Sequence, residues 1–234
     1  MLRFMPKDVL RLLVLLIMMA SVGAAAAKAH LITFGKWASV PWLPGGEAQK
    51  PLMLKVRGLF LDGRLKEYTV GPFHEVTDRL FVVRRAFRMN DNLPDDPAFS
   101  PRWQWQRGGW LVVDRLTGHI SPIPMPEFDA YYSAAGWYRD YAAYCGVSED
   151  GKQLYAVVAQ LGRRKPVLKK LLGSNSIEAD DSAPPDSACP APLWQRTPAR
   201  VTFEPSAAAK QTFAIRGHVV DLVNETEEDE EPSK

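Results

Sequence analysis

The sequence predicts an all-β protein: antiparallel sheets built from hairpins, folded as an irregular sandwich or barrel, with few helices. Three observations carry this expectation. Asp62-Gly63 separates two extended apolar runs, residues 52–61 and 65–70. Both residues of that dipeptide tolerate the positive φ of a tight hairpin turn. Extended runs flanked by turn residues recur at 110–123 and 148–159. Strong helix signals are few, with at most one turn over 126–132.

Taken in order, residues 31–34 and 37–42 are short apolar runs, and Pro44-Gly45-Gly46 is a turn. The 52–61 and 65–70 strands follow, the second ending at Gly71-Pro72. Residues 79–89 are rich in β-branched and aromatic types and read as a strand. A helix competes there, because Leu80, Val83 and Phe87 fall at helical spacing. The 90–102 region holds prolines and Asn or Asp residues and reads as a loop. Residues 103–123 form a hairpin turning at Leu116-Thr117-Gly118. After a proline-rich connection, 138–147 leads to a turn at 148–152 and strands at 154–159 and 166–172. Residues 173–190 are a surface loop. Residues 201–203 and 213–223, broken at Gly217, are the last strands.

The chain opens as an export signal. Arg3, Lys7 and Arg11 precede an uninterrupted apolar run, 12–20, and small residues reach Ala27. A positive start, a short apolar core and a small-residue exit are the parts of a secretory signal peptide. Cleavage fits after Ala27 or Ala29, and Ala29 is preferred. An uncleaved anchor is the alternative, but the uncharged stretch 12–27 is shorter than the roughly 20 residues that span a bilayer. The organisation expected is thus 1–29 signal peptide, 30–223 a single β-rich domain, and 224–234 a disordered acidic tail. The domain belongs in the periplasm or outside the cell, with no stable membrane span after signal cleavage.

Charge sharpens this division. The chain carries a formal net charge of +2, while residues 225–234 alone carry −5. The body is only mildly basic, which argues against a nucleic-acid partner. The tail has no apolar residue to bury; solubility is its plain role, and pairing with Arg163, Arg164, Lys165, Lys169 and Lys170 is a further one. Cys145 and Cys189 are the only two cysteines. In an oxidising compartment an even pair reads as a disulfide. It would close a loop of about 44 residues, worth roughly 4 kcal/mol in the chain-entropy model. Free thiols or a metal pair are the alternatives.

Two stretches carry a resemblance. Residues 110–120, with Asp114-Arg-Leu-Thr-Gly118, and residues 148–158, with Ser148-Glu-Asp-Gly-Lys152, resemble hairpins of β-propeller blades in exported bacterial repeat proteins. The resemblance implies a propeller-like sheet arrangement over 110–172, with an outer hairpin followed by the inner hairpin of the next blade. The second turn is not repeated at the 40–45-residue period of a complete propeller. No functional residue is implied.

Chemical motifs are sparse. The four histidines are scattered without paired spacing, so no metal site and no cofactor is expected. Asp129 and Asp140 flank Tyr131, Tyr132, Trp137 and Tyr138. Glycoside hydrolysis uses two carboxylates about 5–9.5 Å apart, so this pair is the candidate catalytic one. An Arg139–Asp140 ion pair is the plainer reading. Trp103 and Trp105, two apart on a strand, share a face and form a candidate binding platform together with Trp110. Tyr131, Tyr132 and Trp137 complete the aromatic set. Burial of the same rings in a core is the competing reading. Arg84, Arg85 and Arg88 read as a solvated strand face, or as partners for the acids of 91–96. The function expected is a non-enzymatic exported domain that binds a protein or glycan partner. The alternatives are a glycan-acting hydrolase and a structural component of an envelope assembly.

Overall fold

The computed structural model describes residues 29–42, 52–90, 103–175, 189–206, 208–216 and 219–223. These form three antiparallel sheets and no helix. The expected signal peptide up to residue 28, the Pro44-Gly45-Gly46 turn, the 91–102 segment, residues 176–188 of the expected surface loop and the expected acidic tail lie outside the described residues.

The large sheet holds β1 (Ile32–Phe34), β2 (Ala38–Trp42), β3 (Leu52–Leu61), β4 (Arg64–Glu75), β5 (Leu80–Asn90), β6 (Trp103–Asp114) and β7 (Ile120–Pro122). Its order is β1-β3-β4-β5-β6-β7, with β2 also paired to β3. The β3–β4 hairpin turns at Asp62 and Gly63, whose φ values are 51° and 76°, as the dipeptide predicts. Asp62 also accepts the Leu31 N–H at 3.0 Å, tying β1 to the same turn. The 79–89 run is the strand β5, because its even and odd residues both find cover on a two-sided sheet.

Contrary to the sequence reading, β4 does not end at Gly71-Pro72. It continues to Glu75 across a register shift between Val70 and His74. A proline inside a strand is accommodated at such a bulge, where no ladder hydrogen bond is required of it. Further shifts occur in the β3–β4 and β5–β6 ladders. Strands this long twist, and the bulges increase the coil. One face buries Trp42, Leu54, Val56, Val70 and Ala86. The other buries Leu59, Phe81, Val83, Leu111 and Val113. The sheet rolls far enough for the Trp42 indole to donate to Gln106 Oε1 at 3.3 Å, joining β2 to β6.

The middle sheet holds β8 (Ala135–Tyr138), β9 (Tyr141–Val147), β10 (Gln153–Gln160) and β11 (Leu168–Ser174) in the order β11-β10-β9-β8. The last sheet holds β12 (Leu193–Gln195), β13 (Arg200–Phe203), β14 (Gln211–Arg216) and β15 (Val219–Leu222), also a meander. Residues 135–147 form a hairpin rather than one run. Arg139 takes the turn with φ 52°, and nothing in its residue type announces that conformation.

The middle and last sheets pack face to face. Ala143, Cys145, Ala156 and Val158 meet Val201, Phe203, Phe213 and Ile215 in one buried cluster. Cys145 and Cys189 form the expected disulfide inside it, with Cα atoms 6.2 Å apart and 44 residues between them. The two hairpins that resemble blade hairpins are β6–β7 at the edge of the large sheet and β9–β10 at the centre of the middle sheet. The seven-stranded large sheet departs from a four-stranded blade, and the architecture is three antiparallel sheets of which the middle and last form an irregular sandwich.

Candidate functional site

The joint between the large and middle sheets is built by the residues 126–139. Asp129 Oδ1 accepts the N–H groups of Tyr131 at 2.7 Å and Tyr132 at 3.1 Å, a side-chain turn that replaces the helical turn considered from sequence. Ser133 closes it, donating its hydroxyl to Cys145 O at 2.7 Å. Two arginines of the large sheet hold the same turn from below. Arg84 donates to the carbonyls of Ala130 at 2.7 Å and Ser133 at 3.1 Å. Arg107 donates to Tyr131 O at 2.7 Å and stacks over the Trp42 ring, 4.1 Å from its centroid. Arg84 is therefore buried and bound to backbone, not part of a solvated face. Arg85 pairs with Glu67 at 2.9 Å.

This places the aromatic candidates. Tyr131 packs edge-on to Trp42 and Tyr132, inside the joint. Trp110 is only 8 % exposed and meets Trp137 with ring centroids 5.3 Å apart. Trp137 also stacks on His74, whose Nε2 is 2.8 Å from Arg139 O. These four rings therefore serve as packing between sheets. Trp103 and Trp105 do share a face, but unequally. Trp103 is 58 % exposed, while Trp105 is half-buried against Tyr68, with centroids 5.0 Å apart. The Arg88 guanidinium lies 5.8 Å and 5.4 Å from the two indole centroids.

Asp129 and Asp140 each have their own local partners. Asp129 sits beside Ser133 at the level of Cys145, and Asp140 immediately precedes Tyr141. On β9 the Tyr141 and Cys145 levels are four residue steps apart, about 13 Å along the strand. Asp140 accepts from Gln160 Nε2 at 2.8 Å rather than pairing with Arg139. Among the described residues, no group of three His, Cys, Asp or Glu is placed to hold a metal ion.

No sequence motif marks one sizeable concavity among the described residues. A groove of about 810 Å³ runs between the β6–β7 hairpin and the β10–β11 turn. Leu80, Val112, Pro122, Ile123, Pro124 and Leu161 make it apolar, and Thr117, His119 and Ser121 supply polar groups. Apolar walls with a few polar groups and a volume of this order are typical of binding pockets. A smaller pocket of about 110 Å³ continues it past Ile123, Pro124, Leu161 and Gly162 towards Trp137 and Gln160. Trp137 Nε1 and Gln160 Oε1 are buried without hydrogen-bond partners.

The edge of the large sheet borders this groove. Asp114 N–H donates to His119 O at 2.9 Å and Ile123 N–H to Trp110 O at 2.8 Å. Alternate residues of a strand address opposite neighbours, so Ile120 and Pro122 turn their backbone away from β6. The open edge thus presents the Ile120 N–H and the carbonyls of Ile120 and Pro122. Asp114 is already engaged: the Arg79 guanidinium, followed by the Leu116 and Thr117 N–H groups, holds its carboxyl well below the usual range despite some desolvation. It is a fixed anion at the groove wall. The signal available in sequence was Pro122 and Pro124 flanking Ile123 after a turn. Only the docking of the middle sheet converts that segment into a groove.

Among the described residues no helix is long and apolar enough to cross a membrane. Comparison with protein-family models, with curated proteins and with solved structures finds no match to this chain.

Proposed function

We propose that this protein is an exported, non-enzymatic binding domain that holds an extended segment of a partner protein in the groove beside β7. The observation that carries the reading is the pairing of an apolar groove of about 810 Å³ with a strand edge that has spare backbone groups. An extended peptide on that edge gains main-chain hydrogen bonds, and its alternate side chains enter the apolar groove. Pro122 and Pro124 keep the edge short, which blocks indiscriminate sheet growth and favours a short clamp. The inner pocket beside Trp137 and Gln160 extends the apolar groove and can take a side chain of the occupant. Export to the periplasm or beyond rests on residues 1–29 and agrees with the buried Cys145–Cys189 disulfide.

Selection of binders from a displayed library of random peptides tests this reading. The enriched peptides are expected to be apolar and extended, and to bind L161E at least about tenfold more weakly, since a charge would then face the apolar wall. Enriched peptides that bind the wild-type chain and L161E equally would place the contact elsewhere.

Trp103 supports a second reading, a glycan partner. Its indole is largely exposed on a strand and lies near Arg88, an arrangement suited to stacking on a sugar ring. Screening against neutral glycans, with W103A as control, separates this reading from the first.

A further inference from the structure

Two cations of β3, Lys55 and Arg57, share one face of the large sheet. Arg79, Arg85, Arg115, Lys169 and Lys210 each pair with a carboxylate. Lys55 and Arg57 have no carboxylate partner among the described residues. Glu67 lies two residues from Thr69, which faces Arg57 across the ladder, but it is bound to Arg85.

Arg57 is instead held by rings. Its guanidinium carbon lies 4.0 Å from the Phe34 centroid and 4.3 Å from that of Trp37. Phe34 in turn stacks on Phe73, with an interplanar angle of 2° and centroids 5.4 Å apart. The Arg57 Nε is buried without a hydrogen-bond partner. Partial burial of the charge lowers the pKa of this group from its ordinary value, as expected for a cation short of a counterion.

Two irregularities build a groove over these cations. On one side the edge strand is interrupted between β1 and β2, and Trp37 stands in the break. On the other, the β4 bulge pushes Gly71, Pro72 and Phe73 out of register. Together with Lys55 and Arg57 they line a groove of about 380 Å³. Bulges that re-aim side chains recur at functional sites.

Its chemistry restricts the occupant. The β3 backbone beneath the groove is already engaged, Lys55 with Ser39 and Arg57 with Thr69. Recognition has to come from the side chains. Trp37, Pro72 and Phe73 suit the flat apolar face of a ring, and the Arg57 fork with Lys55 suits a planar anion on that ring. We infer that the groove formed by Trp37, Lys55, Arg57 and Phe73 binds a uronic acid residue of an acidic glycan, with the carboxylate on Arg57 and the pyranose ring against Trp37. This site shares no lining residue with the peptide groove, so it does not rest on that reading, and either can fail alone.

Titration calorimetry of the mature chain with trigalacturonate, and with the neutral galactose trisaccharide as control, tests it. Trigalacturonate is expected to bind at least about tenfold more tightly than the neutral sugar, with an affinity that falls as salt is raised. R57Q and W37A are each expected to weaken it by about tenfold or more, and K55Q by a smaller factor. Lys55 is exposed, so K55Q keeps the test valid if R57Q does not fold. Trigalacturonate that does not bind, equal binding of the neutral trisaccharide, unchanged affinity in folded R57Q or K55Q, or full displacement by equimolar inorganic phosphate would each overturn the assignment.

Discussion

Arg84 of β5 reaches out of the large sheet and donates to the carbonyl of Ser133 at 3.1 Å, in the turn that begins the middle sheet. The same guanidinium bonds Ala130 O, and its Nε bonds Gly108 O at 3.3 Å. A buried cation is tolerated here because backbone carbonyls from two elements replace its hydration.

Replacing it exposes what it holds. Arg84→Met keeps the apolar stem and strands these carbonyls in a buried joint. The expected loss is about 3 kcal/mol of unfolding free energy, read from urea denaturation. A change below about 0.5 kcal/mol, as at a solvated position, would contradict the role given to it.

The contact between the middle and last sheets depends on a missing side chain. A Cβ on Gly136 would stand 2.3 Å from Pro192 O, a backbone atom, and Trp194 Nε1 donates to Gly136 O at 3.0 Å. Gly136→Ala is therefore expected to cost about 1–3 kcal/mol through overpacking. Gly109, where a Cβ meets nothing within 4 Å, is the control position.

The disulfide lies in the core shared by these two sheets and spans 44 residues. The C145A/C189A double variant is expected to lose roughly 4 kcal/mol relative to the oxidised protein. Comparing urea midpoints of the two proteins checks it, and equal midpoints would contradict it.

Two groups set the pH limits. Tyr144 is fully buried and donates its hydroxyl to Pro126 O at 2.7 Å. Burial, and secondarily the charge of Glu127, pushes its phenol well above the ordinary value of 10. A folded-state pKa above the unfolded one means that its contribution is complete below about pH 10 and is lost as pH rises through the folded pKa. Asp114 runs the other way. Its pKa is depressed by Arg79, so its contribution is present above about pH 4 and is lost as pH falls. Stability should fall at both extremes, and Tyr144→Phe should remove much of the alkaline fall. An unchanged alkaline limb in that variant would contradict the assignment.

Local signals made much of the fold legible. Asp62-Gly63 fixed one hairpin because two positive-φ residues admit little else. The cysteine pair was readable from compartment and count. The β4 bulge was not, because Gly71-Pro72 is an ordinary strand end unless the neighbouring strand resumes pairing at His74. Arg84 was misread for a related reason: a cation on a strand is solvated by default, and only the docking of the 126–133 turn buries it. The two proposed binding grooves lie between elements distant in sequence, where periodicity carries no information. Trp110 and Trp137 drew attention as aromatics, yet each is the other's partner across two sheets.

The proposed partner segment along β7 would cover the Ile120 amide. Amide hydrogen exchange of the mature protein, with and without a library-selected peptide, tests it most directly. Added protection is expected at the Ile120 amide and around Leu161 and Gly162, with residues 103–105 unchanged. Protection confined to residues 103–105, or no change at Ile120 with peptide bound, would contradict it.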